Sequence, residues 1–333
     1  MKKRAIEIAA FVTVSALLII ICILSSGATK ESEENIIKKS EEAVAKYNGL
    51  YIREDGTIIS LYPYHGKDAF LKNMEKVNEL GDDSPLPVYL AIPPRKMDVL
   101  EIPEDIDQAP SNALFELAKS ECLQHNVVYI DVLSVMKGEN LYFSTDHHWT
   151  SRGAYLAYCE IIRKMGEEPV TESEFTIEIA SEKYRGSDYG KTDKSPEYTL
   201  FDTIELYYTD DYESYVTTIV EPPYDSEENN VILGGMYDLE AAKSWDPYRV
   251  YFRGNTPYIT IRKAEERETL LVVRDSFASA LAPFLALHFD IVMVDPRFCP
   301  ERLSKIAERE KASAILVLEN MGTFTENTIK FKY

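Results

Sequence analysis

The chain has 333 residues, enough for one large domain with an added module. Its 56 acidic and 36 basic residues give a formal charge of −20, a surface that repels nucleic acid and anionic lipid headgroups. Of four cysteines three lie outside the apolar N-terminal run, an odd number with no CxxC pair, which argues against a disulfide framework and against a cysteine-ligated zinc site. Cys22 falls in an apolar run, and Cys122, Cys159 and Cys299 read as buried thiols.

Lys2, Lys3 and Arg4 precede a stretch that is almost uninterruptedly apolar from Ile8 to Leu24. This is short for a spanning helix and long for the core of a signal peptide. The basic start predicts that the first residues stay in the cytoplasm while the remainder crosses the membrane. Residues 1–28 are therefore expected to form an uncleaved, single-pass signal anchor. Cleavage after Ser26-Gly27-Ala28 is the alternative, and would release a secreted protein. Ile21, before Cys22, is too bulky for lipoprotein processing. With Glu7 counted, residues 1–28 carry +2, so the exported part carries −22.

Residues 29–80 are expected to hold a charged helical stalk, "TKESEENIIKKSEEAVAK", and a capping hairpin, "GLYIREDGTIISLY", turning at Asp55-Gly56. A main domain over 81–333 follows. "PVYLAIPP", "VVYIDVL", "TLLVVRDS", "DIVMVDP" and "SAILVLEN" read as buried strands. "SNALFELAKSECLQHN", "SRGAYLAYCEIIRKMG", "FASALAPFLALHF" and "PERLSKIAEREKA" read as helices. The alternation predicts an α/β fold, a mostly parallel sheet flanked by helices. Ligand chemistry in such sheets sits at the carboxyl ends of the strands. From about 170 to 262 the rhythm breaks. "FTIEIA", "FDTIELYY", "YESYVTTIV", "RVYFRG" and "YITIRK" suggest a β-rich antiparallel insertion walling the site.

In "VVRDSFASAL" an apolar strand delivers Asp275 and Ser276 into a helix. There a serine hydroxyl lies near backbone N–H groups and the positive end of the helix dipole, where an oxyanion can be held. The same Asp-Ser pair is also ordinary capping chemistry. A serine nucleophile needs a base and an orienting carboxylate. "YFSTDHHWTSRGAYLAY" can supply both, because Asp146 and His148 leave the same side of an extended segment. On that reading His147 points elsewhere, and Trp149 packs beside His148 or offers a face to a sugar. Two other readings of the stretch stay open: part of a metal site, or punctuation before the following helix.

This stretch closely resembles the signature of the bacterial DHHW protein family, itself similar to the SGNH-hydrolase-like proteins of alginate O-acetylation. "LYIREDG", "LAIPPRK", "YRGSDYGK", "YFRGNTPYITIRK", "RDSFASALAPFLALHFDIVMVDPRF" and "ILVLEN" fall in the family's order. The resemblance implies an SGNH-like fold with Ser276 as nucleophile, His148 as base and Asp146 as orienter. It also implies a permuted chain order, with the Asp-His pair before the serine. Separate Gly and Asn blocks are missing, leaving Gly254-Asn255 and Gly186-Ser187 as candidate oxyanion donors. Arg274, Tyr142, Trp149, Asn255 and Arg297 are candidate substrate contacts, Arg297 equally a structural ion-pair partner. The implied function is extracytoplasmic acyl chemistry on a cell-surface polysaccharide: O-acetyl transfer, or ester hydrolysis when water is the acceptor. A multi-spanning membrane acyltransferase is the expected partner, and neither cofactor nor metal is implied. A non-catalytic polysaccharide-binding or assembly factor with the same fold is the alternative.

Overall fold

In the computed structural model the described residues are 29–194, 198–225, 228–326 and 329–333. The expected membrane anchor, residues 1–28, lies outside them. Among the described residues, no helix is long and apolar enough to cross a membrane.

The charged segment at the start forms helix α1 (Thr29–Lys46). Its last turns do not stand free as a stalk: Ala43 and Val44 pack into a small core with Ile59, Leu61, Met97 and Ile106. The hairpin is present as β1 (Leu50–Ile52) and β2 (Ile58–Ser60). Its turn is wider than two residues, spanning Arg53 to Thr57, with Gly56 at φ +86° and the Thr57 N–H donating to Asp55. Helix α2 (Asp68–Asp83) crosses the expected domain boundary at 80/81. Phe70, Met74, Val77 and Leu80 form an apolar stripe that packs against the sheet, so this helix belongs to the main body.

Strands β3 (Val88–Ala91) and β4 (Val127–Ile130) flank helix α3 (Ala109–Cys122), and helix α4 (Ser151–Met165) follows. Thr150 caps α4 by accepting the Gly153 N–H, and Gly166 ends it in the left-handed region. The insertion supplies β5 (Thr176–Tyr184), β6 (Asp202–Tyr208), β7 (Val216–Val220), β8 (Val231–Gly234) and β9 (Tyr258–Arg262). The chain returns through β10 (Thr269–Arg274), helix α5 (Ala278–Leu285), β11 (Asp290–Val294), helix α6 (Leu303–Glu310) and β12 (Ala312–Leu318).

The main sheet has eight strands in the order β4-β3-β12-β10-β11-β9-β7-β8. The first five are parallel and the last three antiparallel. The insertion is therefore not a separate module. β7, β8 and β9 extend the main sheet, and only β5 and β6 pair apart. "RVYFRG" is not a strand: Pro247–Val250 is a 3-10 turn, and Phe252 and Arg253 sit at positive φ, which breaks an extended run.

Side chains alternate across the central strands. Leu270 and Val272 of β10 face one core, with Ile291, Met293, Leu316 and α4 and α5 residues. Leu271 and Val273 face the other, with Val292, Ile315 and α2 and α3 residues. Covering both faces explains why these strands read as unbroken apolar runs. The strand order puts the end of β10, and so Ser276, at the carboxyl edge of the parallel strands, between β12 and β11.

Candidate active site

Strand β10 ends at Arg274, and two residues later the chain turns into α5. Asp275 holds that turn. Its Oδ1 accepts the Phe277 N–H at 2.9 Å. Its Oδ2 accepts the Asn320 backbone N–H at 2.7 Å, the Asn320 side-chain amide at 2.5 Å and the Thr323 hydroxyl at 3.1 Å. Asp275 thus ties the serine turn to the segment leaving β12 and does not cap α5. The Asp275 N–H donates to Leu318 O and the Phe277 N–H to Asp275 Oδ1, whereas among the described residues the Ser276 N–H makes no hydrogen bond.

Ser276 is half-buried, and its Oγ lies 2.7 Å from His148 Nε2, across 128 residues of sequence. His148 Nδ1 lies 2.5 Å from Asp146 Oδ1. A carboxylate oxygen can only accept, so the imidazole carries its proton on Nδ1 and presents Nε2 as acceptor to the serine hydroxyl. Ser276, His148 and Asp146 are brought together as one hydrogen-bonded line.

The local geometry differs from the expected strand alternation. Residues 144–148 form bends, and the His148 N–H donates back to Asp146 Oδ1 at 3.0 Å. That turn brings the two side chains together. His147 does not point to the opposite side. Its ring lies against that of His148, centroids 3.8 Å apart, with Nδ1 2.6 Å from Ser187 Oγ.

The insertion anchors this loop. Asp202 accepts the Ser144 and Thr145 N–H groups at 2.7 Å each, and the Thr145 hydroxyl at 2.5 Å. The Ser187 N–H donates to Asp146 Oδ2 at 2.7 Å. A Cβ at Gly186 would collide with the Asp146 carboxylate, so "YRGSDYGK" needs glycine there for close approach. Gly186-Ser187 therefore supports Asp146 and is not an oxyanion site. The buried Lys96 ammonium pairs with Asp188 at 2.7 Å and donates to the carbonyls of Ile58, Phe143 and Ser144, tying the loop to β2.

Burial alone would push the Asp146 carboxyl up, but the neighbouring His148 and His147 and the Ser187 N–H outweigh it. They hold Asp146 well below the usual carboxylate range. The His147 imidazole is pushed down to about 4, first by burial and then by His148 beside it. Beneath the site, burial and then the charges of Asp275 and Asp295 push the Glu319 carboxyl well up.

Ser276 and His148 open on a cleft of about 700 Å³, whose wall includes Asn255, Arg297, Tyr248 and Trp245. Two of the expected substrate contacts, Asn255 and Arg297, are thus placed on the cleft. Arg297 is also the expected ion-pair partner, gripping Asp295 through Nη2 at 2.6 Å and Nε at 2.9 Å. The other three are corrected. Trp149 is fully buried, its indole N–H donating to Phe277 O at 3.0 Å, and it offers no face to a ligand. Tyr142 is buried and donates to Pro94 O at 2.7 Å. Arg274 is 1% exposed and donates to Thr256 O at 2.9 Å. Sequence reasoning missed the wall opposite His147: the Tyr248 ring stacks on His148, and its hydroxyl donates to Ser276 O at 3.4 Å.

Asp146, His147 and His148 each offer a metal-ligand atom within 4.8 Å of the others. These donors already have partners: Asp146 holds His148 and Ser187, His147 meets Ser187, and His148 faces Ser276. The arrangement suits proton transfer from the serine hydroxyl to imidazole, with a carboxylate fixing the ring.

Among curated proteins, none matches the chain. Solved structures with the same fold include a DHHW family protein from Eubacterium siraeum. It has a TM-score of 0.69 at 19% identity, covering 84% of this chain and 92% of that chain. Bacillus cereus PatB1 superposes with a TM-score of 0.68 at 21% identity, covering 85% and 99%. PatB1 with a sulfonyl adduct gives 0.67 at 20% identity, covering 86% and 100%. The model of the DHHW protein family matches residues 112–295, more than half of the chain and including both the Asp146-His148 loop and Ser276; the chain belongs to that family.

Proposed function

We propose that this protein is a serine-dependent acyltransferase or esterase that moves acetyl groups on a cell-surface polysaccharide. The observation that carries the reading is the unbroken line Ser276 Oγ–His148–Asp146, with the serine open to the cleft. His148 Nε2 takes the hydroxyl proton as Ser276 Oγ attacks the carbonyl carbon of an acetyl ester or thioester. Asp146, held ionised, stabilises the imidazolium that forms. The unpaired Ser276 N–H and the Asn255 side chain on the cleft wall are the donors offered to the oxyanion. His148 returns the proton to the leaving group, leaving acetyl on Ser276. A sugar hydroxyl then gives its proton to His148, takes the acetyl and frees the serine. Water in its place makes the reaction hydrolysis.

The same reading places residues 1–28 in the membrane and the remainder outside the cell, supplied with acetyl groups by a multi-spanning membrane acyltransferase. The basic start and the apolar run support that placement. A C-terminal reporter active only in the cytoplasm should stay silent.

PatB1 is solved with a sulfonyl adduct, and the corresponding test applies here. The full-length chain is incubated with a sulfonyl fluoride or an aryl acetate and mapped by mass spectrometry. The expected result is one added group, on Ser276, absent from His148→Ala. Labelling elsewhere, or labelling that survives loss of His148, would sink the serine mechanism.

A further inference from the structure

The chain has two tryptophans. Trp149 is fully buried, while Trp245 is 84% exposed on the wall of the cleft that holds Ser276 and His148. An indole left in water costs hydration free energy that burial against a ligand would recover. The backbone around it is held from both sides. Ser244 Oγ donates to Asp246 O at 3.1 Å and accepts the Asp246 N–H at 3.3 Å. Asp246 Oδ1 accepts the Tyr248 N–H at 3.2 Å, and Tyr248 is the ring stacked on His148. Trp245 is therefore three residues from a side chain fixed against the candidate base.

Arg249 lines the same cleft and is half-buried. Arg253 and Arg297, on the same wall, are paired with Asp238 and Asp295. Among the described residues the Arg249 guanidinium has neither an ion pair nor a hydrogen bond. Its charge acts on the Asp246 carboxylate of the same cleft, but its N–H donors are unused and remain open to a ligand's oxygen atoms.

We infer that this wall of the cleft is a saccharide subsite. Trp245 supplies a flat apolar surface for the C–H face of a pyranose ring, and Arg249 donates to that ring's hydroxyl or carboxylate oxygens. Neither group alone selects a sugar. An aromatic face beside a fork of N–H donors matches a ring that is apolar on its faces and oxygen-rich at its edge. The inference rests on the acyl-transfer reading and deepens it, because it states how the acceptor is held while its hydroxyl meets the acyl-serine.

The test uses tryptophan emission from the full-length chain. Trp149 is shielded, so emission that acrylamide can quench belongs to Trp245. The probes are a neutral four-sugar oligomer of N-acetylglucosamine and a four-sugar oligouronate. At least one should shift the emission saturably and cut acrylamide quenching about threefold or more. Calorimetry on Trp245→Ala and on Arg249→Gln should show affinity lowered about tenfold. Absence of protection by both sugars overturns the subsite, as does unchanged affinity in either variant. Sulfonyl labelling of the unaltered chain separates the two readings. Labelling without sugar protection removes the subsite and leaves the serine chemistry standing. Sugar protection without labelling keeps the subsite and removes the serine chemistry.

Discussion

The imidazole of His148 lies flat on the phenol ring of Tyr248, with centroids 4.3 Å apart and planes 12° from parallel. With His147 on its other side, the His148 ring is held between two rings, and only its nitrogens are free to interact in its own plane. Tyr248→Ala removes one wall and lets the ring tilt away from Ser276. The expected result is a fall in kcat on a small aryl acetate of about 10- to 100-fold, with KM nearly constant. Tyr248→Phe keeps the stack and loses only the 3.4 Å hydrogen bond to Ser276 O, so it should fall less than tenfold. Steady-state kinetics of the two variants check this.

Ser276→Ala and His148→Ala should each lower turnover on the order of 10⁴-fold. Their stabilities diverge from that of Asp146→Ala. The half-buried serine gives up little, whereas loss of Asp146 leaves the Ser187 N–H without an acceptor, at a cost of about 1–3 kcal/mol. His147→Ala should cost about tenfold or less in turnover, since His147 touches the base and not the serine. Chelators should leave the rate unchanged. Aryl acetate kinetics beside urea melts decide each point.

Acid stability should depend on His147. Its imidazole titrates near 4 in the folded chain and near 6.5 when unfolded. Between those values the unfolded state binds the extra proton, so stability rises with pH across that window and is lost as pH falls through it. Asp146, held low, adds a further loss only below the ordinary carboxylate range near 3.8. Urea midpoints from pH 4 to 7 should show a shallower slope for His147→Asn than for the unaltered chain.

Glu319 acts in the opposite sense. Its carboxyl is raised by burial and then by Asp275 and Asp295, so above about pH 4.5 the unfolded state releases a proton that the folded state keeps. Stability therefore falls as pH rises from that point toward the folded value. Glu319→Gln keeps the shape without the titration. It should match the unaltered chain near pH 4 and exceed it in thermal midpoint at pH 8.

The five parallel strands were legible because each is an apolar run closed by Asp, Asn or Pro, with β10 and β11 fully buried and only the edge strand β4 exposing Val128. The Asp146-His148 pairing was legible by motif, but its cause was not. Strand alternation does not cause it; a bend and a backbone N–H do. The two tryptophans were not separable by sequence. "HHWTSRG" and "KSWDPY" both surround the indole with polar residues, and only the fold shows that Trp149 reaches inward to Phe277 O. Helix α2 was passed over although Phe70, Met74, Val77 and Leu80 recur at helical spacing. Asn73 and Asn78 interrupt its apolar stripe with polar side chains, yet both are buried. Tyr248 gave no signal, since its value lies in a contact 100 residues from His148.

Among the described residues β12 is the last strand in chain order, yet it lies between β3 and β10 in the sheet. Before residues 312–318 arrive, β3 and β10 each present an unsatisfied edge to the other, and Asp275 lacks the Asn320 groups that fix its turn. The serine turn therefore cannot settle until the segment that leaves β12 is in place. Removal of residues 312–333 takes out the keystone of the sheet, so such truncation should yield aggregation and not a smaller folded domain.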